Sequence, residues 1–233
     1  MRKNIVRLGF LYTLLLAVSL AMPAFAQLHP VEADLNKVRT YPVGSVRFVY
    51  DRPHAQHPST SAIHQEFIRV VPTQWGFATK GEVPHGHTTS LPIEQLTQSE
   101  GLSRLSAGVL KRISAAALSY FKNVGLMGVY VTVHPADIDS RGNDGRPYGV
   151  QRLRYLVYTA DVRQITTRAK GERFKEGQML NRPEHAWIRE RAPLATEAAE
   201  DYGDLLNRKK LDKWVHKLNR HPGRKVSVGF EGA

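Results

Sequence analysis

Residues 106–134 read SAGVLKRISAAALSYFKNVGLMGVYVTVH, and this stretch decides the fold that the sequence predicts. Ser106 is a favourable N-cap, because its hydroxyl can accept a hydrogen bond from the free amides of a first helical turn. Apolar residues then recur at helical spacing as far as Val124, which predicts an amphipathic helix. Gly125 is expected to end this helix, because glycine takes the left-handed conformation without a steric penalty.

A β-strand is predicted shortly after this glycine. Alternation and a high content of β-branched residues are typical of a strand, and the valines would share the face that meets the helix. The stretch therefore predicts a long helix packed on the strand that follows it. That strand comprises Val129, Tyr130, Val131, Thr132 and Val133.

Two further strands are expected to complete a first unit around this pair. Residues 43–51 alternate, with Val46 and Phe48 on one face. Residues 151–159 carry apolar side chains on both faces, as expected of a strand that lies between two neighbours. The intervening residues 135–149 are rich in turn-forming residue types and predict a loop.

Residues 51–103 are predicted to be an insertion into this first unit. Residues 59–67 favour a short helix, and residues 68–78 favour an extended segment with Trp75 in the core. Residues 80–89 contain two glycines, a proline and two histidines, which predicts a loop. Residues 90–96 are expected to open another short helix.

The pattern begins again after residue 160. Residues 162–167 predict a short strand, Pro183 suits the first turn of a short helix, and Asn207 is a favourable N-cap for a longer one. Residues 226–230 alternate as a final strand. Compared with the first unit, one last strand is missing, so we expect an unpaired sheet edge in the second unit.

The chain begins with the pattern of a secretory signal peptide, expected to cover residues 1–26. Basic residues precede an apolar run from Leu8 to Ala21, and the small-x-small site Ala24-Phe25-Ala26 follows. The alternative is a membrane anchor, but about 14 apolar residues are too few for a hydrocarbon core that needs ~20. We therefore expect an exported protein.

The composition limits the kinds of partner and chemistry. There are 33 Lys and Arg against 21 Asp and Glu, a formal net charge of +12, so anionic partners are favoured. For an exported protein these are lipid headgroups or acidic polypeptides, and no nucleic-acid partner is expected. The sequence contains no cysteine, which excludes thiol catalysis and thiolate metal sites.

Three segments carry a resemblance to a known family. They are LLNRKKL at residues 205–211, LNRHPGRKV at residues 218–226 and GLMGVYV at residues 125–131. Together with the repeated strand and helix order, they resemble POTRA domains, the polypeptide-transport-associated modules of haemolysin-secretion/activation proteins in two-partner secretion. The resemblance covers nearly all of the chain after the signal peptide and is weak between residues 51 and 103.

This resemblance implies an α+β fold of two consecutive POTRA-like β-α-α-β-β units. The first would occupy residues 27–160, including an N-terminal arm and the insertion at 51–103. The second would occupy residues 161–233 and lack its last strand. Such units precede a transmembrane β-barrel in the family, and no barrel sequence follows here. A fragment, a truncated gene product and a free-standing module all remain open.

The resemblance also implies a function. POTRA modules bind exported, unfolded polypeptides by adding them to an exposed sheet edge in the periplasm, next to an outer-membrane β-barrel that is the second expected partner. The strand after the long helix lies outermost in such a sheet, which makes residues 129–133 the expected binding edge. We expect the backbone N–H of Thr132 to be one of its free donors. No catalytic residue belongs to the family's motifs.

A basic surface on the second helix supports an alternative function. The spacing of four basic residues places them near one side of that helix, where they could meet anionic lipid headgroups or an acidic partner. A solvated helix face is the competing interpretation. The four residues are Lys209, Lys213, Lys217 and Arg220.

A metal site and an enzyme activity are both predicted to be absent. Five histidines have spacings that could hold an ion, but they fall in predicted loops, and the nearest acid, Glu82, lies in no metal-binding pattern. The sequence contains no Gly-x-Ser-x-Gly, no His-Glu-x-x-His and no phosphate-binding glycine loop, so we predict neither catalysis nor a cofactor. The histidines are His54, His57, His64, His85 and His87.

Overall fold

The computed structural model describes residues 38–98, 103–169, 180–196, 203–220 and 225–230. The expected signal peptide at residues 1–26 lies outside these ranges, as does most of the N-terminal arm. Within them, no helix combines the length and the apolar character that crossing a membrane requires.

The described chain is an α+β structure with two sheets. Its helices are α1 (Ala107–Val124), α2 (Ala186–Glu190) and α3 (Arg208–Leu218). Its strands are β1 (Thr40–Pro42), β2 (Ser45–Tyr50), β3 (Phe67–Thr73), β4 (Gly76–Ala78), β5 (Thr89–Pro92), β6 (Arg104–Ser106), β7 (Val129–Val133) and β8 (Arg152–Thr159).

The first sheet has three strands in the order β2-β8-β7. β8 is central and pairs in parallel with β2 on one side and antiparallel with β7 on the other. Its inward side chain Tyr155 is fully buried and donates a hydrogen bond from its hydroxyl to the Leu110 carbonyl oxygen, 3.1 Å away, which ties the sheet to α1. The predicted strands at 43–51, 129–133 and 151–159 are therefore confirmed.

Helix α1 forms as its end signals predict. The Ser106 hydroxyl accepts a hydrogen bond from the Val109 amide at 3.2 Å, and Gly125 ends the helix with a φ of 95°. The Leu126 amide closes the cap on the Phe121 carbonyl oxygen at 2.9 Å. The apolar stripe between these ends is buried against both sheets.

The insertion supplies β3, β4 and β5 of a second sheet, which β1 and β6 from either side of it extend to five strands in the order β1-β6-β4-β3-β5. The short helix expected at residues 59–67 is a 3₁₀ turn, Ser61–Gln65, and residues 90–96 form β5 followed by the 3₁₀ turn Ile93–Leu96. The core position predicted for Trp75 is wrong. Trp75 lies on the tight turn between β3 and β4 and is 59% exposed.

The second half of the chain differs from the prediction. Helix α3 forms, with the Asn207 side chain accepting from the Lys210 amide at 3.1 Å, and Pro183 begins the predicted short helical segment. The strands predicted at residues 162–167 and 226–230 do not form among the described residues. The described backbone of this half makes isolated bridges, Asp161 to Leu205, Arg168 to Leu180 and Asn207 to Leu126.

A side chain replaces a strand partner near residue 226. The Asn219 side chain accepts from the Val226 amide at 2.6 Å and donates to the Val226 carbonyl oxygen at 3.0 Å. These are the two backbone groups that a neighbouring strand would have bonded. Phe230, which belongs to the predicted strand, is 54% exposed. Alternation alone therefore did not produce a strand here.

Candidate functional site

Strand β7 lies at the end of its sheet. Among the described strands it pairs only with β8, so one of its two backbone edges has no strand partner there. The hydrogen bonds at its two ends define which residues face β8. The Ala160 amide donates to the Gly128 carbonyl oxygen at 2.9 Å, and the His134 amide donates to the Arg154 carbonyl oxygen at 2.8 Å.

The direction of each backbone group along β7 follows from these two bonds. In an antiparallel pair, alternate residues direct both N–H and C=O to the partner strand. Gly128 and His134 face β8, so Tyr130 and Thr132 between them face β8 as well. The residues that direct N–H and C=O away from β8, toward the edge, are Val129, Val131 and Val133.

The expectation for Thr132 is therefore wrong. Its N–H belongs to the bonds between β7 and β8 and is not a free donor at the edge. The sequence shows that residues 129–133 form a strand, but the parity of the hydrogen bonds depends on the register with β8, which alternation does not reveal. The N–H groups that face the free edge belong to the residues on either side of Thr132, Val131 and Val133, and to Val129.

The side chains of β7 differ strongly between its two faces. Val131 points into the core and is 3% exposed, while Val129 and Val133 beside it are half-buried. On the other face Tyr130 is 61% exposed, and its ring centroid lies 6.1 Å from that of Tyr158 on β8. The edge thus has an apolar side under α1 and an aromatic side facing solvent.

The predicted basic surface lies on α3 and just after its end, and α3 starts close to the end of α1. Its four residues, Lys209, Lys213, Lys217 and Arg220, are all exposed. The Arg208 amide donates to the Gly125 carbonyl oxygen at 2.8 Å, which joins the start of α3 to the turn before β7. The stem of Lys209 covers Gly125, since a Cβ built there would lie 3.4 Å from it. The structure therefore joins the start of the basic helix to the turn between α1 and β7.

Two of the histidines meet in a small cleft between the first unit and residues 203–205. His54 and His57 have ring centroids 5.5 Å apart, and His57 stacks on Tyr50 at 3.7 Å. Burial, His54 and Arg52 together lower the pKa of His57. The ring nitrogens are engaged in the fold, His54 with the Gly203 carbonyl oxygen and His57 with the Thr159 hydroxyl.

The other histidines lie apart from this pair. His64 packs edge-on against Phe48, and His85 and His87 are exposed on the insertion. Among the described residues there is no group of three or more His, Cys, Asp or Glu side chains that could hold a metal ion.

Glu82 has a structural role that the sequence did not predict. Its carboxylate accepts from the Thr79 amide at 2.8 Å, the Thr79 hydroxyl at 2.7 Å, the Ser106 hydroxyl at 2.5 Å and the Gly108 amide at 2.9 Å. Burial raises the pKa of Glu82, but these hydrogen bonds outweigh it and lower the pKa below its usual value. A carboxylate at the first turn of α1 also interacts favourably with the helix dipole.

Comparisons with known proteins add no family to this description. No family model matches the chain, and neither the curated proteins nor the solved structures contain a significant match.

Proposed function

We propose that this protein binds exported, unfolded polypeptides by β-strand addition at β7, as a POTRA-like module of an outer-membrane protein secretion system. The observation that carries the proposal is the edge position of β7, with the backbone groups of Val129, Val131 and Val133 directed away from β8. An extended segment placed there forms main-chain hydrogen bonds with little dependence on its sequence.

The sheet order supports the resemblance on which the setting rests. In POTRA domains the strand after the long helix is outermost, and β7 follows α1 and is outermost among the three paired strands. Fold similarity alone is a weak guide to function, so the edge itself has to be tested. The expected setting is the periplasm, beside an outer-membrane β-barrel in the same or another chain, with no catalytic step and no cofactor.

Proline substitution tests the edge with a built-in control. Proline removes one N–H and is tolerated in edge strands where that N–H faces solvent. We expect Val133→Pro to keep the fold and to weaken binding of an unfolded secretory protein about tenfold, the equivalent of one or two lost hydrogen bonds. Val133→Ala controls for the side chain and should leave binding within about twofold.

Proline at Thr132 should destabilise the fold, unlike proline at Val133, if the Thr132 N–H faces β8 as the register indicates. Thr132→Pro removes a bond between β7 and β8, so we expect it to lower the thermal midpoint, whereas Val133→Pro should change it little. Binding is measured by fluorescence anisotropy of a labelled client, and folding by circular dichroism. Equal client affinities for wild type and a folded Val133→Pro would reject strand addition at this edge.

The alternative function uses α3 rather than β7. The exposure of Lys209, Lys213, Lys217 and Arg220 favours binding of anionic lipid headgroups or an acidic partner. Salt separates the two functions, because surface ion contacts weaken steeply with ionic strength and main-chain pairing does not. Binding to anionic but not zwitterionic vesicles, lost in Lys213→Glu/Lys217→Glu, would support the alternative.

A further inference from the structure

The solvent face of β7 carries one large exposed side chain at the sheet edge. Side chains alternate between the two faces of a strand, so Tyr130 and Thr132 lie on the face opposite to the buried Val131. Tyr130 is exposed, whereas Thr132 is half-buried. A strand that adds to β7 therefore meets an exposed aromatic ring on this face.

This ring belongs to an aromatic pair that crosses two strands. Tyr130 pairs with Tyr158 in the register of β7 with β8. Their ring centroids lie 6.1 Å apart with an interplanar angle of 34°, within the distance at which aromatic rings attract each other. Tyr158 lies on the β8 side of Tyr130, and Tyr130 is still 61% exposed, so an added strand can contact the ring from the edge side.

The exposed ring distinguishes β7 from the other sheet edges of the described chain. β1, β2 and β5 also have a single described strand neighbour. The exposed residues of β2 are Ser45 and Arg47, that of β5 is Ser90, and β1 has none. An exposed aromatic side chain is therefore found on β7 alone among these edge strands.

The hydrogen-bond directions along β7 determine how closely a partner side chain approaches Tyr130. Val129, Val131 and Val133 direct their backbone groups toward the edge, so they would occupy hydrogen-bonded pairs with an antiparallel added strand. Tyr130 would then occupy a non-hydrogen-bonded pair, in which the Cα atoms are about 4.5 Å apart rather than about 5.5 Å. The residue opposite Tyr130 is therefore held where cross-strand side chains are closest.

We infer that the polypeptide segment selected at β7 carries an aromatic side chain opposite Tyr130. This side chain packs against the Tyr130 ring on the solvent face and extends the pair of Tyr130 and Tyr158 into a row across the enlarged sheet. Main-chain hydrogen bonds form with almost any extended segment, whereas an aromatic cross-strand pair stabilises only segments that carry such a ring. The inference rests on the proposed strand addition and assigns Tyr130 as the residue that determines its specificity.

The test uses the full chain and two labelled peptides of about nine residues, long enough to span β7. Both alternate threonine with valine and carry identical charged ends for solubility. The central threonine is replaced by phenylalanine in one peptide and by serine in the other. We expect wild-type protein to bind the phenylalanine peptide about tenfold more tightly in fluorescence anisotropy, from the aromatic pair and the apolar area that it buries.

Substitution of exposed tyrosines assigns the preference to β7. Tyr130→Thr removes the ring but keeps a strand-forming residue, so we expect the two peptides to bind within about twofold of each other. Tyr130→Phe keeps the ring and should keep the preference. The control Tyr148→Thr makes the same change at a fully exposed tyrosine in the loop before β8 and should leave the preference intact. Circular dichroism verifies that these variants are folded.

The outcomes separate this inference from the proposed function. If Val133→Pro weakens binding of the unfolded client and of both peptides but Tyr130→Thr leaves the preference unchanged, the aromatic selection is wrong and strand addition stands. The inference is equally overturned if Tyr148→Thr or Tyr130→Phe abolishes the preference, or if neither peptide binds. If Val133→Pro affects neither the client nor the peptides, the proposed function fails and the inference fails with it.

Discussion

Residues 38–160 and residues 161–230 carry similar local signals, yet among the described residues only the first region has extended strand pairing. In the first region one contiguous core joins α1 to both sheets. In the second region, a small cluster centred on Val162, Leu194 and Leu211 supports α3, and the described backbone makes isolated bridges only. Capping and periodicity are local, so both helices form, whereas a strand requires a partner that its own residues do not supply.

The two helices also differ in how their first turns are held. α3 has its Asn207 side chain as cap. α1 has Ser106 together with the Glu82 carboxylate, which arrives from the loop of the insertion and reaches the Gly108 amide. The insertion therefore helps to stabilise α1. We expect substitutions that remove its contacts with α1 to lower the stability of the first region and not that of the second.

The largest expected effect is a difference between the two cores. Phe121 is fully buried in the main core, which α1 shares with both sheets. Phe121→Ala should therefore lower the free energy of unfolding by about 3–5 kcal/mol. Leu211 belongs to the small cluster, where fewer neighbours are lost, and Leu211→Ala should cost about 2 kcal/mol or less. Chemical denaturation of both variants measures these costs.

Hydrogen exchange sharpens the same comparison. Amides at residues 162–230 should exchange faster than those at residues 109–133, because small clusters open at lower free energy than the main core. Leu211→Ala should accelerate exchange in α3 and leave α1 unchanged. Equal protection of both regions in a monomer would mean that the second region is stabilised as strongly as the first.

A smaller effect is expected at Glu82. Removing its charge in Glu82→Gln weakens several hydrogen bonds at the start of α1, for an expected cost of about 1–3 kcal/mol at neutral pH. Glu190→Gln changes the same charge on the exposed end of α2 and should be close to neutral. Thermal unfolding of the two variants compares them.

The pH dependence gives Glu82 a second signature. Its pKa is lower in the folded than in the unfolded protein, so its stabilising contribution is present above the ordinary carboxyl pKa and is lost as pH falls through the folded value. Wild type should lose stability below about pH 5, and Glu82→Gln should lose less over the same range. Parallel pH profiles for the two proteins would contradict this role.

The smallest expected effect concerns the link between the regions. The Gln56 side chain accepts from the Leu205 amide at 3.1 Å and donates to Asp204. Gln56→Ala should cost about 1 kcal/mol and speed exchange at residues 203–206 without changing α1. Gln65→Ala, which removes a surface bond to Glu94 inside the first region, is the matched control and should leave residues 203–206 unaffected.

Much of the first region was predictable because its signals are local and agree with one another. Ser106 and Gly125 mark the ends of α1, and alternation marks β7. The Glu82 contacts join residues more than twenty positions apart across a loop, so no local pattern reveals them. The free donors of β7 depend on its register with β8. At the start of the strand expected at 226–230, the Asn219 side chain bonds the Val226 backbone, a contact that alternation does not reveal.

The parallel pairing of β2 with β8 has a consequence for how the chain reaches its fold. Ser45 pairs with Arg152, so the ladder closes a loop of roughly a hundred residues. Such non-local pairing has a large entropic cost of closure and is associated with slow folding. During synthesis from the N-terminus, β2 emerges long before its partner exists. Until β8 arrives, the alternating segment of β2 is an aggregation hazard, and chaperone protection over that interval would raise the yield of folded protein.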